Sequence, residues 1–465
     1  MPSITVQEAV VAMKAQLLNE AAAGDRLQQT FPSVCIDTRR LRPGQAFFAL
    51  PGSSQDGHAF LSDAVRKGAA ALVVQRPPES PPNNVLVFQV SDTVTALQRL
   101  AAWTRQKWSG RLIAVTGSMG KTTTRSFIAR LLAQHFVVHE TIGNYNNHIG
   151  VPLSILELDS RHERSVMELG MNHPGEIDRL GRLVQPQAVV LTNVAPVHLE
   201  FFPSLDLIAE AKGEILAHLP KDGTLYFNAD DPRVGRLAGR FTGRKVSFGQ
   251  SPSADLHIRQ WSILDLQSMR LELTGFGRKL SVTVRLVGEH FAWNLAAAVA
   301  VALDEGLSSE EVEDALQAIH PLDHRGVIRN IDNVLLWDDS YNSSPAALTS
   351  VLRTLRALPE SRRKIAVLGD MLELGTHAPA LHEECGRTAA EVVDQLITVG
   401  PLARYLAKGA LRQGLPPAAV RECSDWRDAA DRLLAVLQPG DLVLVKGSRA
   451  VQLDRLIAAV EEARS

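Results

Sequence analysis

One short segment of the chain has the residue types of a phosphate-binding loop: GSMGKTTT, residues 117–124. It follows the apolar run RLIAV, which predicts a buried strand, and it precedes the helical pattern KTTTRSFIARLLAQHF. The apolar face of that predicted helix carries Phe127, Ile128, Leu131, Leu132 and Phe136. Because strand, glycine loop and helix follow one another in register, we interpret the segment as a phosphate cradle rather than a simple glycine turn.

The chemistry of such a loop is divided between its backbone and its side chains. Glycines let backbone amides turn towards phosphate oxygens, Lys121 can reach the terminal phosphates, and the Thr122 hydroxyl can ligate magnesium. The longer P-loop pattern needs glycine at position 115, where this chain has Val115, so the loop has the shorter G-x-x-G-K-T form. The predicted loop residues are Gly117, Ser118, Met119, Gly120, Lys121, Thr122 and Thr123.

Polar side chains also follow two later apolar runs, where strands are predicted to end. Glu168 ends the run SVME, Asn193 follows AVVL, and His198 lies five residues further on. Ligands of open α/β sheets bind at these strand ends, so Glu168 is a natural magnesium ligand, unless it is merely an exposed carboxylate. Because magnesium prefers oxygen, the chemistry of His198 alone leaves phosphate hydrogen bonding and loop packing equally open.

The elements that must position these residues indicate an α/β fold. From residue 111 onward, short apolar runs alternate with helical patterns, as in a parallel sheet covered by helices. The segments LHIRQWSI, SMRLELTG and KLSVTVRLVG then alternate with period two, which predicts an appended antiparallel patch.

A separate doubly wound domain is predicted after residue 320. There the strand-like runs NVLLWDD, KIAVLGD, QLITVG and DLVLVKG again alternate with helical patterns. At 465 residues the chain is too long for one core, and about 150 residues per domain suggests three domains. We expect them at residues 1–90, 91–320 and 321–465.

Composition excludes several classes of protein. The net charge of −2 gives no electrostatic reason to bind nucleic acid or a membrane surface. No run reaches the ~18 apolar residues of a membrane span, and the N-terminal residues lack a signal-peptide pattern. The three cysteines lie far apart, as expected in a reducing compartment. We therefore expect a soluble cytoplasmic protein that is a monomer.

Several motifs together resemble those of the Mur ligase family of peptidoglycan synthesis. They run from about residue 33 to residue 449 and include TGSMGKTTT, GNYNNHIGVP, MELGMNHPGEI, VAPVHLE, AKGEI, NADDP, DDSYNSSP, GDMLELG and VKGSR. The segments GNYNNHIGVP and GDMLELG favour the branch that adds D-alanyl-D-alanine. The arginine motif DNPR of the diaminopimelate- or lysine-adding relatives does not occur.

The resemblance implies an amide-forming ligase with a small UDP-binding domain, a central ATP-binding domain and a C-terminal Rossmann-like domain. With Mg²⁺, ATP would phosphorylate the terminal carboxylate of a UDP-MurNAc-tripeptide, and the amine of D-alanyl-D-alanine would displace the phosphate. Family members use residues matching Glu168 and His198 at metal sites, so we adopt that expectation for both, beside Thr122.

The resemblance changes the interpretation of Lys212 most. By its pattern in AEAKGEIL this lysine is a helix-surface residue, solvated or paired with Glu210 or Glu214. The family carries a carbamylated lysine at the matching position, which would replace a cation by a carboxylate-like group. A carbamate requires an amine that is partly neutral, and hence a partly desolvated pocket.

Further nucleotide contacts follow from weaker motif matches. GEHFAWN resembles the family's adenine motif, keeping His290 and Asn294 but placing Phe291 where asparagine is usual. Arg325 matches an arginine near the γ-phosphate, although DHRG departs from the usual proline-glycine-arginine. Asp339 matches a nucleotide-contacting aspartate, with a loop cap as the alternative.

Candidate substrate residues lie in three motifs. In the first domain, IDTRRLRPG resembles the uridine-diphosphate segment, although Arg39 could equally form a surface ion pair. In the C-terminal domain, Lys446 or Arg449 could pair with the dipeptide carboxylate. The full expected set is Asp37, Thr38, Arg39, Asn144, Asn146, Asn147, Tyr341, Asn342, Lys446 and Arg449.

Two other classes of function stay open. One is a different ligase of the same fold, of the folylpolyglutamate type or from a tetrapyrrole-cofactor pathway, against which the DTRR segment argues. The other is a nucleotide-binding regulatory protein without catalysis. The joint presence of Lys121, Thr122, Glu168, His198 and Lys212 argues against it.

Overall fold

The computed structural model describes residues 4–19, 24–52, 55–80, 84–358 and 362–464 of the chain. These residues group into two compact units. The first consists of Met1–Thr116, His135–Val190 and Lys212–Thr224, and the second of Gly117–Gln134, Leu191–Ala211 and Leu225–Ser465. Among the described residues, no helix has the length and apolar character needed to cross a bilayer.

The helices are α1 (Val6–Met13), α2 (Leu61–Arg66), α3 (Thr93–Lys107), α4 (Lys121–Leu132), α5 (Gly150–Leu156), α6 (Glu176–Val184), α7 (Leu205–Gly213), α8 (Pro232–Arg240), α9 (Glu289–Asp304), α10 (Ser309–Gln317), α11 (Pro345–Ala357), α12 (Ala378–Ala390), α13 (Arg404–Arg412), α14 (Trp426–Val436) and α15 (Leu453–Arg464).

The strands are β1 (Gln16–Leu17), β2 (Val34–Cys35), β3 (Ala46–Phe48), β4 (Ala71–Val74), β5 (Leu86–Gln89), β6 (Arg111–Thr116), β7 (Val138–Glu140), β8 (Arg164–Glu168), β9 (Ala188–Leu191), β10 (Thr224–Asn228), β11 (Arg244–Gly249), β12 (Leu256–Ile263), β13 (Met269–Gly275), β14 (Arg278–Val284), β15 (Val327–Ile331), β16 (Val334–Asp338), β17 (Lys364–Gly369), β18 (Gln395–Val399), β19 (Val420–Cys423) and β20 (Leu442–Lys446).

Three sheets are formed by the described strands, which confirms the predicted mixed α/β class. The first has the order β1-β5-β4-β3-β2 and is parallel except for β1. The second has the order β14-β13-β12-β11-β10-β9-β6-β8-β7. Within it β6, β8 and β7 pair in parallel, whereas β12, β13 and β14 form the predicted antiparallel patch.

The third sheet has the order β15-β16-β20-β17-β18-β19 and is parallel except for β15. Alternate residues of its strands enter two different apolar cores. Trp337 and Leu444 pack with residues of α11, α12 and α13, whereas Leu336 and Val443 pack with residues of α14 and α15. Helices therefore cover both faces, as expected for parallel strands that are apolar throughout. The antiparallel edge strand β15 was not predicted.

Helix α4 is shorter than its sequence pattern predicts. Phe127, Ile128, Leu131 and Leu132 are fully buried, as expected. The helix ends at Leu132, however, so Phe136 lies beyond it and is only half-buried. The ring of Phe136 packs under the guanidinium of Arg164, 3.9 Å from the ring centroid. The apolar stripe of α4 thus stops one turn earlier than predicted.

Candidate active site

The glycine loop connects the end of β6 at Thr116 with the start of α4 at Lys121. Gly117 and Gly120 have φ angles of +148° and +76°, which side-chain-bearing residues rarely adopt. A Cβ atom at Gly117 would lie 1.9 Å from the Thr192 hydroxyl oxygen. Both glycines are therefore required by the local geometry of the loop.

The segment that follows β9 holds this loop in place. The Ser118 amide donates to the Asn193 carbonyl at 2.8 Å, and the Met119 amide donates to Asn193 Oδ1 at 2.9 Å. The hydroxyl of Thr192 donates to the Met119 carbonyl at 2.8 Å. Asn193, which the sequence pattern predicted at a strand end, therefore supports the loop.

Lys121, Thr122, Arg325 and Tyr341 come together at the start of α4. Lys121 Nζ folds over the loop and donates to the carbonyls of Gly117 and Ser118, at 2.9 and 3.1 Å. Arg325 donates to the Thr122 hydroxyl at 3.2 Å, while its guanidinium stacks 4.0 Å from the Tyr341 ring centroid. Two cations thus converge on the loop, as binding of a polyphosphate requires.

Asn294 packs directly against the loop. It accepts from the Thr124 hydroxyl at 3.2 Å, and a Cβ atom at Gly120 would lie 2.4 Å from its Oδ1. Among the described residues its buried Nδ2 has no hydrogen-bond partner, so a donor is available to a ligand. Phe291, the departure from the family motif, is 1% exposed and packs on Phe127. Position 291 is therefore a core position here.

His290 of the same motif is held neutral. Burial lowers its pKa to about 4; the Asp339 carboxylate opposes this shift, and the cations Lys446 and Arg325 add to it. The imidazole is therefore uncharged at neutral pH.

Asp339 and Lys446 pair with each other. Lys446 Nζ lies 2.6 Å from Asp339 Oδ2, donates to the Asn342 carbonyl at 3.0 Å, and its side chain is 4% exposed. Lys446 thereby fixes the DDSYN segment. Of the two cations considered for the dipeptide carboxylate, Arg449 is the accessible one, with a side chain 59% exposed beside Asp454.

His198 meets a residue that the sequence analysis did not single out. Its Nδ1 lies 2.5 Å from Oε2 of Glu373, which belongs to the motif GDMLELG. The hydrogen bond from His198 is the main cause that lowers the Glu373 pKa, and the charge of Lys121 lowers it further. This motif favoured one branch of the family, and the glutamate within it was the signal that could have identified this partner.

In the first unit, Glu168 is not the exposed strand-end carboxylate of the alternative interpretation, because only 2% of it is exposed. Asn146 Nδ2 donates to its Oε1 at 2.7 Å. Its Oε2 is buried and has no hydrogen-bond partner among the described residues. A buried carboxylate oxygen left open in this way fits a cation.

Magnesium is compatible with the described residues. They contain no cluster of three or more His, Cys, Asp or Glu side chains able to hold a metal alone. Magnesium commonly binds through one or two carboxylates together with substrate phosphates, so such a cluster is not needed.

The three asparagines of GNYNNHIGVP have different environments. Asn146 contacts Glu168, Asn147 Oδ1 accepts from the amides of Ile149 and Gly150 at the start of α5, and Asn144 is exposed. Asn147 therefore has a structural contact, and Asn146 reaches the carboxylate predicted to bind metal.

The IDTRR segment contains the ion pair that was considered as its alternative. Arg39 pairs with Asp37 at 2.7 Å and is 86% exposed, and hydrogen bonding from Arg39 lowers the Asp37 pKa. Thr38 is buried, and its carbonyl accepts from Lys67. Arg40 donates to the Tyr145 hydroxyl at 3.4 Å, which brings IDTRR beside the asparagine-rich loop.

The helix-surface interpretation of Lys212 is wrong, because this residue on α7 is 2% exposed. Glu210 and Glu214, the two carboxylates considered beside it, have contacts of their own. Glu210 pairs with Arg240 at 2.5 Å, and Glu214 accepts from the amides of Gly175 and Asp178 at 2.7 and 3.0 Å. Lys212 is therefore a buried lysine, the environment that a carbamate requires.

Comparison with known proteins agrees with these features. Three family models match: "Mur ligase family, catalytic domain" at residues 30–105, "Mur ligase middle domain" at 115–302, and "Mur ligase, glutamate ligase domain" at 324–449. The chain is 33% identical over 446 residues to the UDP-N-acetylmuramoyl-tripeptide--D-alanyl-D-alanine ligase of Bacillus subtilis, covering 95% of this chain and 96% of the relative.

Solved structures show the same relationship. MurF from Acinetobacter baumannii is 30% identical with a TM-score of 0.88, covering 99% of this chain and 100% of that one. MurF from Thermotoga maritima in complex with ADP is 30% identical with a TM-score of 0.81, covering 93% and 97%. The chain therefore belongs to the Mur ligase family, in its MurF branch.

Proposed function

We propose that this protein is an ATP-dependent ligase that joins D-alanyl-D-alanine to the terminal carboxylate of UDP-MurNAc-tripeptide in peptidoglycan precursor synthesis. The observation that carries the proposal is the match over 95% of the chain to a relative with that named activity. The glycine loop with two converging cations supports the ATP-dependent part. We propose that it acts as a monomer in the cytoplasm, where ATP is available.

The reaction we propose has two steps. A carboxylate oxygen of the tripeptide attacks the γ-phosphorus of ATP and ADP leaves, which gives an acyl phosphate. The dipeptide amine then attacks the acyl carbon, loses a proton, and the phosphate leaves with the oxygen that came from the carboxylate. We propose that Lys121 and Arg325 stabilise negative charge on the transferred phosphoryl group, because Lys121 contacts the Gly117 carbonyl and Arg325 contacts the Thr122 hydroxyl.

Magnesium is the cofactor we propose besides ATP. Thr122, Glu168 and His198 are the proposed ligands, and bound magnesium would neutralise phosphate charge. The open Oε2 of Glu168 supports its part in this set. We also propose that Lys212 is carbamylated, because it is a buried lysine at the position where the family carries a carbamate.

Substrate contacts are divided among three proposed domains. Residues 1–90 would bind the UDP end through the IDTRR segment, residues 91–320 would bind ATP, and residues 321–465 would bind the dipeptide. Within the last domain Arg449 is our proposed partner for the dipeptide carboxylate, because its side chain is exposed. Asn294 and Asp339 are proposed nucleotide contacts, and Tyr341 and Asn342 are proposed to contact the dipeptide.

An acceptor panel tests this function. Phosphate release should require ATP, UDP-MurNAc-tripeptide and D-alanyl-D-alanine together. Free L-lysine, diaminopimelate or glutamate lacks the second peptide unit and would leave polar groups unpaired, so discrimination on the order of 10⁴-fold is expected. Product formation by mass spectrometry is the measurement. A better product yield with a free amino acid, or with a folate substrate, would assign the chain to another activity.

A further inference from the structure

The contact between His198 and Glu373 joins two loops of the second unit. His198 follows β9, Glu373 follows β17, and their side chains meet at 2.5 Å. Both residues have left-handed backbone conformations, with φ angles of +55° and +62°. Such conformations are uncommon for residues other than glycine and often mark functional positions. Each loop thus adopts an unusual backbone at the residue that makes the contact.

Backbone and apolar contacts support the same meeting of loops. The Glu200 amide donates to the Glu373 carbonyl at 3.2 Å. Gly375, with φ +54°, approaches so closely that a Cβ atom would lie 3.1 Å from Glu200 Cα. Leu199 packs against the apolar core of the third sheet. Backbone and apolar contacts therefore hold the two loops together beside the pair, in which the His198 side chain is 19% exposed and the Glu373 side chain 42% exposed.

The chemistry of the pair determines which imidazole nitrogen remains for a ligand. A carboxylate only accepts hydrogen bonds, so Nδ1 carries the proton and donates to Glu373. Nε2 is therefore the ring nitrogen that could offer a lone pair to a cation. Carboxylates that accept from a metal-binding histidine fix its tautomer and orientation and raise its basicity.

We propose that Glu373 is a positioning residue that fixes the ring and tautomer of His198, so that Nε2 would be available to hold a cation. The proposed C-terminal domain would thereby supply the carboxylate that orients a histidine of the proposed ATP-binding domain. This inference rests on the proposed metal role of His198. A purely structural clamp is the alternative, and it would affect the stability of the protein rather than its affinity for metal.

Manganese binding separates these two roles. The full-length protein with saturating ADP would be titrated with Mn²⁺, and free Mn²⁺ followed by its electron paramagnetic resonance signal. We expect Glu373→Gln to weaken Mn²⁺ binding by ~10-fold or more, and Glu373→Asp to weaken it less. The matched control is Glu384→Gln, which removes an exposed carboxylate from α12 and should change nothing.

A second variant shows whether Glu373 acts through His198. Asparagine tolerates the left-handed backbone, so His198→Asn should keep the loop conformation. We expect the double variant His198→Asn/Glu373→Gln to bind Mn²⁺ as weakly as His198→Asn alone, because Glu373 then has no ring to orient. Additive losses would overturn the positioning role, as would a lower Tm of Glu373→Gln with unchanged Mn²⁺ affinity.

The outcomes also distinguish this inference from the proposed function. If His198→Asn leaves Mn²⁺ binding unchanged, the proposed metal role of His198 fails and the inference fails with it. If His198→Asn weakens binding while Glu373→Gln does not, the inference alone is overturned. Formation of the ligated product by the unsubstituted protein is a separate measurement. It tests the proposed ligase activity independently of the Mn²⁺ results.

Discussion

Two lysines show how differently a functional position can be encoded. Lys121 starts α4 after a glycine loop, and its neighbours in sequence determine where its ammonium lies: over the carbonyls of Gly117 and Ser118. Lys212 lies near the end of α7 in a segment whose pattern is that of a solvated helix face, yet the residue is 2% exposed. Local spacing encodes the first position, and tertiary packing alone determines the second.

The two positions differ in what their sequence neighbours show. The loop before Lys121 requires positive φ angles, and the sequence shows this requirement as glycine at positions 117 and 120. No local sequence pattern indicates that Lys212 is buried, because its burial depends on residues that are distant in sequence. Substitution of each lysine in turn tests whether both are needed for the same reaction.

The largest effect is expected for Lys121→Ala. Loss of an ammonium that stabilises charge in the transition state should lower kcat by ~100-fold or more while the protein stays folded. Steady-state phosphate release and circular dichroism would measure both. The control Lys221→Ala changes an exposed lysine in a turn and should keep full activity. Near-normal turnover of folded Lys121→Ala would contradict the phosphate role of the loop.

Lys212→Ala should come next, with a loss of roughly 10- to 100-fold, as for groups that orient a metal centre. A short carboxylate such as acetate or formate should restore part of the activity, because it can occupy the position of the lost carbamate. Rescue is the decisive measurement, since a variant that is merely misfolded would not respond. Intact-mass analysis of the unsubstituted protein should also show the added mass of one carbon dioxide.

Full activity of Lys212→Ala would mean that burial of this lysine is structural only. In that case Lys121 would have a catalytic role and Lys212 only a structural one.

The smallest effect concerns a buried histidine outside the reaction. His382 is fully buried, accepts from the Met371 amide through Nε2 and donates to the Ala378 carbonyl through Nδ1. Burial is the main cause that lowers its pKa below the unperturbed 6.5. The unfolded chain therefore takes up this proton first, and stability falls as pH drops below about 6.5.

Substitution His382→Gln removes this titration. The variant should be less stable than the unsubstituted protein at neutral pH, and the difference in Tm should narrow as the pH falls below 6.5. His377→Gln, a change at an exposed histidine of the same segment, should leave the pH profile of Tm unaltered. A difference in Tm that stays constant with pH would show that His382 does not couple proton uptake to folding.

Sequence predicted half of the described strands and the glycine loop, because these features are local. Runs such as KIAVLGD and DLVLVKG coincide with β17 and β20, since central parallel strands are apolar on both faces. The end of α4 was missed because Phe136 continues the apolar period although the helix stops at Leu132. The edge strand β15 gave no signal, because the segment VIRNI is short and only half-buried.

Side-chain partners were the least predictable part of the site. The pairing of Lys446 with Asp339, of Asn146 with Glu168 and of His198 with Glu373 joins residues 22 to 175 positions apart. No local pattern records such contacts. Motif resemblance identified many of these residues as important, and only the folded arrangement shows which of them support one another.

The most direct test of the account follows the oxygen atoms of the substrate carboxylate. The terminal carboxylate of UDP-MurNAc-tripeptide would be labelled with heavy oxygen and the released phosphate analysed by mass spectrometry after a complete reaction with ATP and D-alanyl-D-alanine. If an acyl phosphate forms, one labelled oxygen passes into each phosphate released with ligated product. Ligation that releases unlabelled phosphate would contradict the proposed mechanism, and absence of ligated product would contradict the proposed function.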